Sequence, residues 1–165
     1  MFGGSLGARS INQASVAAFA GAGFRVLHLS GHRDFADLRP PGRHYDLRPY
    51  FEPFGLALRA ADLVVARAGG SVFEIAAYGL PAVLVPYPHA SADHQTHNAR
   101  WMERAGAAVV IPDGELTADR LGREVGALIE DRARLAAMAE ASRAIARPDA
   151  ARAVAREVLS ALRGK

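Results

Sequence analysis

Residues 61–88 read ADLVVARAGGSVFEIAAYGLPAVLVPYP, two apolar runs separated by a helical one. "ADLVVAR" predicts a buried strand ending at Arg67, and Ser71 to Tyr78 a helix. "PAVLVPYP" predicts a second strand, stopped by Pro86 and Pro88. Apolar runs alternating with helical stretches argue for a parallel α/β sheet.

The alternation continues outward in both directions. On the N-terminal side, Ser10 to Ala20 reads as a helix and Val26 to Ser30 as a strand. Gly31 to Pro49, rich in Pro, Gly and charge, holds a loop or short helix and one short strand near Tyr45 to Leu47. Glu52 to Arg59 reads as a short helix. On the C-terminal side, Asp93 to Arg104 is helical and "AAVVIP" is a strand. Thr117 is placed to cap a helix reaching about Ile129. Arg132 to Ala146, a break at Pro148 and a helix from Asp149 to Leu162 close the chain. No repeat or linker divides this pattern. The expected fold is one Rossmann-like, doubly wound α/β unit, its first strand largely missing because only Met1 and Phe2 precede a glycine loop. Ligands of such sheets sit beyond the carboxyl ends of the strands.

At 165 residues the chain is the size of one domain, and a hydrophobic half with 22% charge fits a globular protein. It has no cysteine, which excludes disulfides and thiolate metal sites and points to an intracellular home. No apolar run reaches the ~18–20 residues of a spanning helix, and the first residues lack the regions of a signal peptide. The net charge is +3, from 20 basic and 17 acidic residues. The arginines are scattered among acids rather than clustered with aromatics, so no nucleic-acid partner is expected. A mildly basic surface favours anionic substrates or anionic lipid.

Three loops follow strand positions. In "GGSLGARSIN", Gly3, Gly4 and Gly7 permit tight backbone geometry and Ser5 offers a hydroxyl at a helix start. Phosphate binding and simple packing are both open for these glycines. In "RAGGSVFE", Gly69 and Gly70 precede Ser71 and Glu74, which have the spacing of a capping box. Either that pair caps the helix, or Glu74 accepts hydrogen bonds from a vicinal diol, as acidic residues do for ribose. In "PYPHASADHQTHNARW", His94 and His97 lie at i and i+3, but no third ligand stands at a credible spacing, so no metal is expected. His, Gln and Asn at a helix head suit sugar hydroxyls; the bland alternative is a polar loop with ordinary caps.

The order "GGSLGAR..N", "RAGG.S..E.AA.GLPAVLVPYP" and "DHQ..NA" resembles the C-terminal, donor-binding domain of the MurG family of GT-B glycosyltransferases. The resemblance spans nearly the whole chain, to "RPDAARAVAREVL". It implies one half of a GT-B fold that binds UDP-N-acetylglucosamine and needs no cofactor. The full enzyme would transfer the sugar to a lipid-linked muramyl-pentapeptide in peptidoglycan synthesis. It would work in the cytoplasm, peripherally on the inner face of the bacterial membrane. The resemblance places Gly4, Ser5 and Gly7 against the donor's phosphates and the backbone near Phe51 against uracil. It places Glu74 on the ribose, with Arg67, Gly70 and Ser71 beside it. His94 and Gln95 would read the transferred sugar, with Asn98 one helical turn on. The lipid-acceptor site and proposed catalytic base belong to an N-terminal domain expected outside this chain, so no catalytic residue is assigned. Of His89, His94 and His97, candidates for a base by chemistry, His94 is expected to recognise sugar. From Arg67 to Glu74 the chain is one residue shorter than the family's usual spacing. The alternatives are another GT-B enzyme, such as a diacylglycerol glucosyltransferase or UDP-sugar 2-epimerase, and a non-catalytic UDP-binding module.

Overall fold

A computed structural model describes residues 1–4 and 7–163. Five strands form, β1 (Val26–Leu29), β2 (Tyr45–Arg48), β3 (Val64–Ala66), β4 (Ala82–Leu84) and β5 (Ala108–Val110). The larger helices are α1 (Arg9–Ala18), α4 (Ser71–Ala77), α5 (His94–Arg104), α6 (Ala118–Glu130), α7 (Arg132–Ile145) and α8 (Ala150–Arg163). Short helices α2 (His32–Phe35) and α3 (Phe54–Arg59) fill the connections around β2. Every element expected from the sequence is present, most with ends trimmed by one to three residues.

All pairings are parallel. β1 pairs with β2 from Val26↔Tyr45 to Leu29↔Arg48, and β4 lies between β3 and β5. Met1 and Phe2 join the two groups. Phe2 bridges both Leu29 and Ala66. Its N–H donates to the Val65 carbonyl at 3.0 Å, while the Met1 carbonyl accepts from the Leu29 N–H at 2.9 Å. The spatial order is therefore β2, β1, Met1–Phe2, β3, β4, β5. The chain winds outward one way and then the other, and the reversal falls at Met1–Phe2, the switch point where such sheets bind ligands.

Alternation along the strands builds two cores. Val64, Ala66, Ala82 and Leu84 belong to one apolar cluster, with Val72, Ile75, Ala99 and Met102 of α4 and α5. Their neighbours Val65, Val83 and Val85 belong to the other, with Ile11 of α1 and Leu121, Val125, Leu128, Leu135 and Met138 of α6 and α7. Successive strand residues point to opposite faces, so each sheet face is covered by helices, as parallel sheets require. A cavity of about 670 Å³ opens between β1 and β3, lined by Leu27, Val64, Phe51 and Phe54 among others. α8 stands clear of both cores, with Val154, Val158, Leu159 and Leu162 exposed. No helix among the described residues is long and apolar enough to cross a membrane.

Thr117 caps α6 as expected, its hydroxyl accepting from the Arg120 N–H at 3.1 Å. Ser71 does not cap α4. Gly70 occupies the cap with helical dihedrals, φ −58° and ψ −24°, and no side chain bonds there. The Gly69 and Gly70 carbonyls already accept from the Val72 and Phe73 N–H groups, at 3.2 Å each. The helix therefore starts one residue too early for Ser71 and Glu74 to form a capping box, and the structure excludes the capping role.

Candidate functional site

The loop after Met1–Phe2 owes two of its glycines to packing. At Gly7 (φ +78°) a Cβ would lie 1.9 Å from the Ser30 carbonyl oxygen, and at Gly3 it would lie 2.3 Å from the Ala8 Cβ. Any larger residue would push the loop off the end of β1. Behind Gly7, buried Asn12 donates from Nδ2 to the Ser30 carbonyl at 2.9 Å and to Asp34 Oδ2 at 3.0 Å. Its Oδ1 lies 2.9 Å from His28 Nε2, and His28 Nδ1 lies 2.7 Å from the Tyr45 hydroxyl. Because the Asn12 Oδ1 can only accept, His28 is the Nε2–H tautomer and Tyr45 donates to Nδ1. Burial first, and the Met1 ammonium second, lowers the His28 pKa from 6.5 to about 3. Hydrogen bonds from Arg33 hold the Asp34 carboxyl down at about 2, against the cost of its burial. This network fixes α1 and the loop against β1. Gly4 (φ +88°) differs, since a Cβ there would meet nothing within 4 Å. Ser5 lies outside the described residues.

The loop after β3 is open where the first is tight. A Cβ on Gly69 or Gly70 would meet nothing within 4 Å, and neither has a positive φ. The fold thus does not demand glycine at either position, and the bare backbone faces space that a ligand can use. Glu74, one turn into α4, is exposed. With the capping role gone, its carboxylate has no hydrogen bond or ion pair among the described residues. Ser71 is half-buried beside it. Arg67, at the end of β3, turns inward. Its guanidinium bonds the Val85 and Pro86 carbonyls, Asp113 Oδ1 and Ser10 Oγ, and lies 5.4 Å over the Tyr87 ring.

The third loop presents unspent polar atoms. His94 Nδ1 lies 2.9 Å from the Ser91 carbonyl, an acceptor only, so the proton of neutral His94 is on Nδ1 and Nε2 is left as an acceptor. Gln95 Oε1 accepts from the Tyr87 N–H at 3.0 Å, leaving its amide N–H groups free to donate. Asn98 Nδ2 donates to the Ala68 carbonyl at 3.0 Å, which ties α5 to the second loop. Just before α5, Ala92 and Asp93 have φ of 51° and 52°. A left-handed conformation costs a non-glycine residue roughly 1 kcal/mol or more, and such strain clusters at ligand-binding segments. His97 is exposed, and His89 packs edge-on against Tyr87. Among the described residues no three His, Asp or Glu side chains gather into a metal-binding group. Phe51 is half-buried against the same apolar cluster as Ala68 and Val72, with the Arg48 guanidinium 5.2 Å over its ring.

The structure therefore brings the three loops together: Arg67 bonds the heads of the other two, and Asn98 bonds the second. Sequence reasoning passed over Ser10, Asn12, His28 and Asp113. Asn12 and Ser10 stood within the quoted glycine motif, and Asp113 just past a predicted strand, where site residues of this fold gather.

The chain is similar to known glycosyltransferases throughout. The crystal structure of Acinetobacter baumannii MurG superposes with a TM-score of 0.83 at 30% identity, over 95% of this chain and 48% of that one. CalG4, the calicheamicin glycosyltransferase, gives a TM-score of 0.65 at 26% identity, over 79% of this chain and 32% of that one. Fold and loops thus define a Rossmann-like domain of the GT-B glycosyltransferase type. Residues 1–154 match the Glycosyltransferase family 28 C-terminal domain, and the chain belongs to that family. Two curated relatives are named UDP-N-acetylglucosamine–N-acetylmuramyl-(pentapeptide) pyrophosphoryl-undecaprenol N-acetylglucosamine transferase. That of Halothermothrix orenii is 40% identical over 158 residues, covering 87% of this chain and 43% of the relative. That of Acidothermus cellulolyticus is 44% identical over 156 residues, covering 88% and 42%. The chain spans less than half the length of the curated relatives it matches.

Proposed function

We propose that this chain binds UDP-N-acetylglucosamine across the three loops and supplies the donor half of an N-acetylglucosaminyl transfer. One observation carries the reading: an exposed Glu74, with no side-chain bond among the described residues, stands beside two glycines that the fold does not need. A ribose diol can hydrogen-bond both carboxylate oxygens, and a diphosphate can approach backbone N–H groups that no side chain covers. Gly4, Gly7, Gly70 and Ser71 line the diphosphate, the Phe51 backbone meets uracil, and His94, Gln95 and Asn98 meet the sugar. His94 Nε2 accepts from one sugar hydroxyl and the Gln95 amide donates to another. The relatives' names supply the acceptor, a lipid-linked muramyl-pentapeptide, held by residues beyond this chain.

In the transfer, the acceptor hydroxyl attacks the anomeric carbon and loses its proton to a base outside this chain. The bond from that carbon to the diphosphate oxygen breaks, and UDP leaves with the electron pair. What these residues contribute is a fixed set of donors aimed at the growing negative charge, the kind of preorganisation that dominates many enzyme rate enhancements. A lipid-linked acceptor together with a nucleotide-sugar donor supports a peripheral position for the working enzyme on the cytoplasmic face of the membrane.

Gly70→Leu tests the site without disturbing the fold. Its side chain enters open space, so the melting temperature is expected to stay within a few degrees, about 0.5 kcal/mol, of wild type. UDP affinity by calorimetry is expected to fall at least about tenfold, 1.4 kcal/mol. Unchanged UDP affinity in a folded variant contradicts the reading. Titrations with UDP-N-acetylglucosamine and UDP-glucose separate the sugar preference from that of other GT-B enzymes.

A further inference from the structure

We propose that Arg67, Ser10 and Asp113 form a brace that sets the spacing of the three loops, Arg67 acting as a positioning residue rather than a ligand of the donor. The three close a ring. Arg67 Nη1 donates to Asp113 Oδ1 at 2.6 Å, Arg67 Nη2 donates to Ser10 Oγ at 2.8 Å, and the Ser10 hydroxyl donates to the same Asp113 oxygen at 2.7 Å. Arg67 also donates to the carbonyls of Val85 and Pro86, at 3.1 and 3.2 Å. One side chain thus joins the first turn of α1, the end of β3, the exit of β4 and Asp113, three residues past β5. The first three of these border the loops of the candidate site. The side chain of Arg67 is 12% exposed and that of Asp113 22% exposed, so solvent screens the pair little.

The ring also controls charge. Asp113 is a carboxylate near the strand ends where a diphosphate is proposed to lie, and only Arg67 neutralises it among its described partners. Arg67 lies over Tyr87, whose N–H holds Gln95, so the brace extends to the loop that meets the sugar.

The inference rests on the UDP reading for its effect on binding, but the brace itself is tested without nucleotide. Amide exchange of the full chain is compared in wild type, Asp113→Asn and Ser10→Ala. Faster exchange at Gly69, Gly70 and Tyr87, with α6 and α7 unchanged, is expected. Titrations then compare UDP with uridine. Asp113→Asn and Ser10→Ala are expected to weaken UDP roughly three- to thirtyfold and uridine less than about twofold, since the loops set the diphosphate rather than the base. Arg67→Met is expected to lose more than Arg67→Met/Asp113→Asn, because the second change removes the stranded charge. A general loss of stability gives neither the split nor the rescue. If Arg67→Met alone weakens UDP while Asp113→Asn and Ser10→Ala match wild type in exchange and affinity, Arg67 touches the phosphates directly and the brace is wrong. If wild type binds no UDP, the donor reading fails and the exchange data alone decide for or against the brace.

Discussion

Replacing Glu74 with alanine is expected to weaken UDP binding by about 1.5–3 kcal/mol, roughly ten- to a hundredfold, while leaving the fold intact. The magnitude is that of a charge-assisted contact, here a carboxylate accepting from both hydroxyls of a ribose. The stability side follows from the structure. Glu74 is exposed, and it does not cap its own helix. Its one structural benefit is a negative charge in the first turn of α4, about 0.3–1 kcal/mol at most, and alanine's helix propensity offsets part of it. Glu74→Gln keeps one oxygen acceptor and loses the charge, so it is expected to fall between. Calorimetric titration with UDP, beside a thermal melt, reads both quantities. Equal affinities in wild type and Glu74→Ala contradict the ribose assignment.

The second large effect concerns acid. His28 is buried and neutral between Asn12 and Tyr45, its pKa lowered from 6.5 to about 3. The unfolded chain therefore binds more protons than the folded one below pH 6.5, and stability drains away as pH falls. The slope from this group is about 1.4 kcal/mol per pH unit, roughly 2 kcal/mol by pH 5. Asp34, at about 2, contributes stability that is kept until lower pH, below the ordinary carboxylate range. Denaturant titrations at pH 7, 6 and 5 are expected to show the fall. Imidazole nitrogen shifts of His28 isolate its share: at pH 5 they are expected to remain those of the neutral Nε2–H tautomer. A His28 that titrates near 6.5 in the folded protein overturns this account.

Because Asn12 ties His28 to the backing of the glycine loop, acid is expected to act there early. Protonated His28 would turn an Nδ1–H against the Tyr45 hydroxyl, which then has to redirect its own proton. Among the described residues the Tyr45 hydroxyl also reaches the Met1 sulfur, a weak acceptor, at 3.9 Å.

Much of this molecule was legible in its residues. Uniformly apolar runs such as VVA and AVL, buried along their whole length, alternate with helical segments and so carried the α/β order, and glycine-rich turns at strand ends marked the candidate site. What escaped has physical reasons. The glycine loop marked Met1–Phe2 as the remnant of a first strand, but two residues have no period, so the bridges of Phe2 to both Leu29 and Ala66 were not legible. Ser71 and Glu74 had the spacing of a capping box, but Gly70 enters the helix in helical dihedrals and its carbonyl takes the role. The glycines looked alike in sequence. Only the surroundings show that Gly7 is required by the Ser30 carbonyl while Gly70 faces open space. The Arg67 ring joins residues 57 and 46 positions apart, contacts that no local pattern encodes. The buried His28 sits alone in the apolar strand VLHL, and its partners Asn12 and Tyr45 come from different elements.

The central claim is that UDP lies at the sheet's switch point, its ribose on Glu74 and its diphosphate along the glycine loops. A crystal structure of the protein with UDP bound tests it most directly. The predicted result is both ribose hydroxyls about 2.6–3.2 Å from the Glu74 carboxylate, with the diphosphate beside Gly4 and Gly70. A nucleotide found instead in the cavity between β1 and β3, or one whose ribose leaves Glu74 untouched, contradicts it.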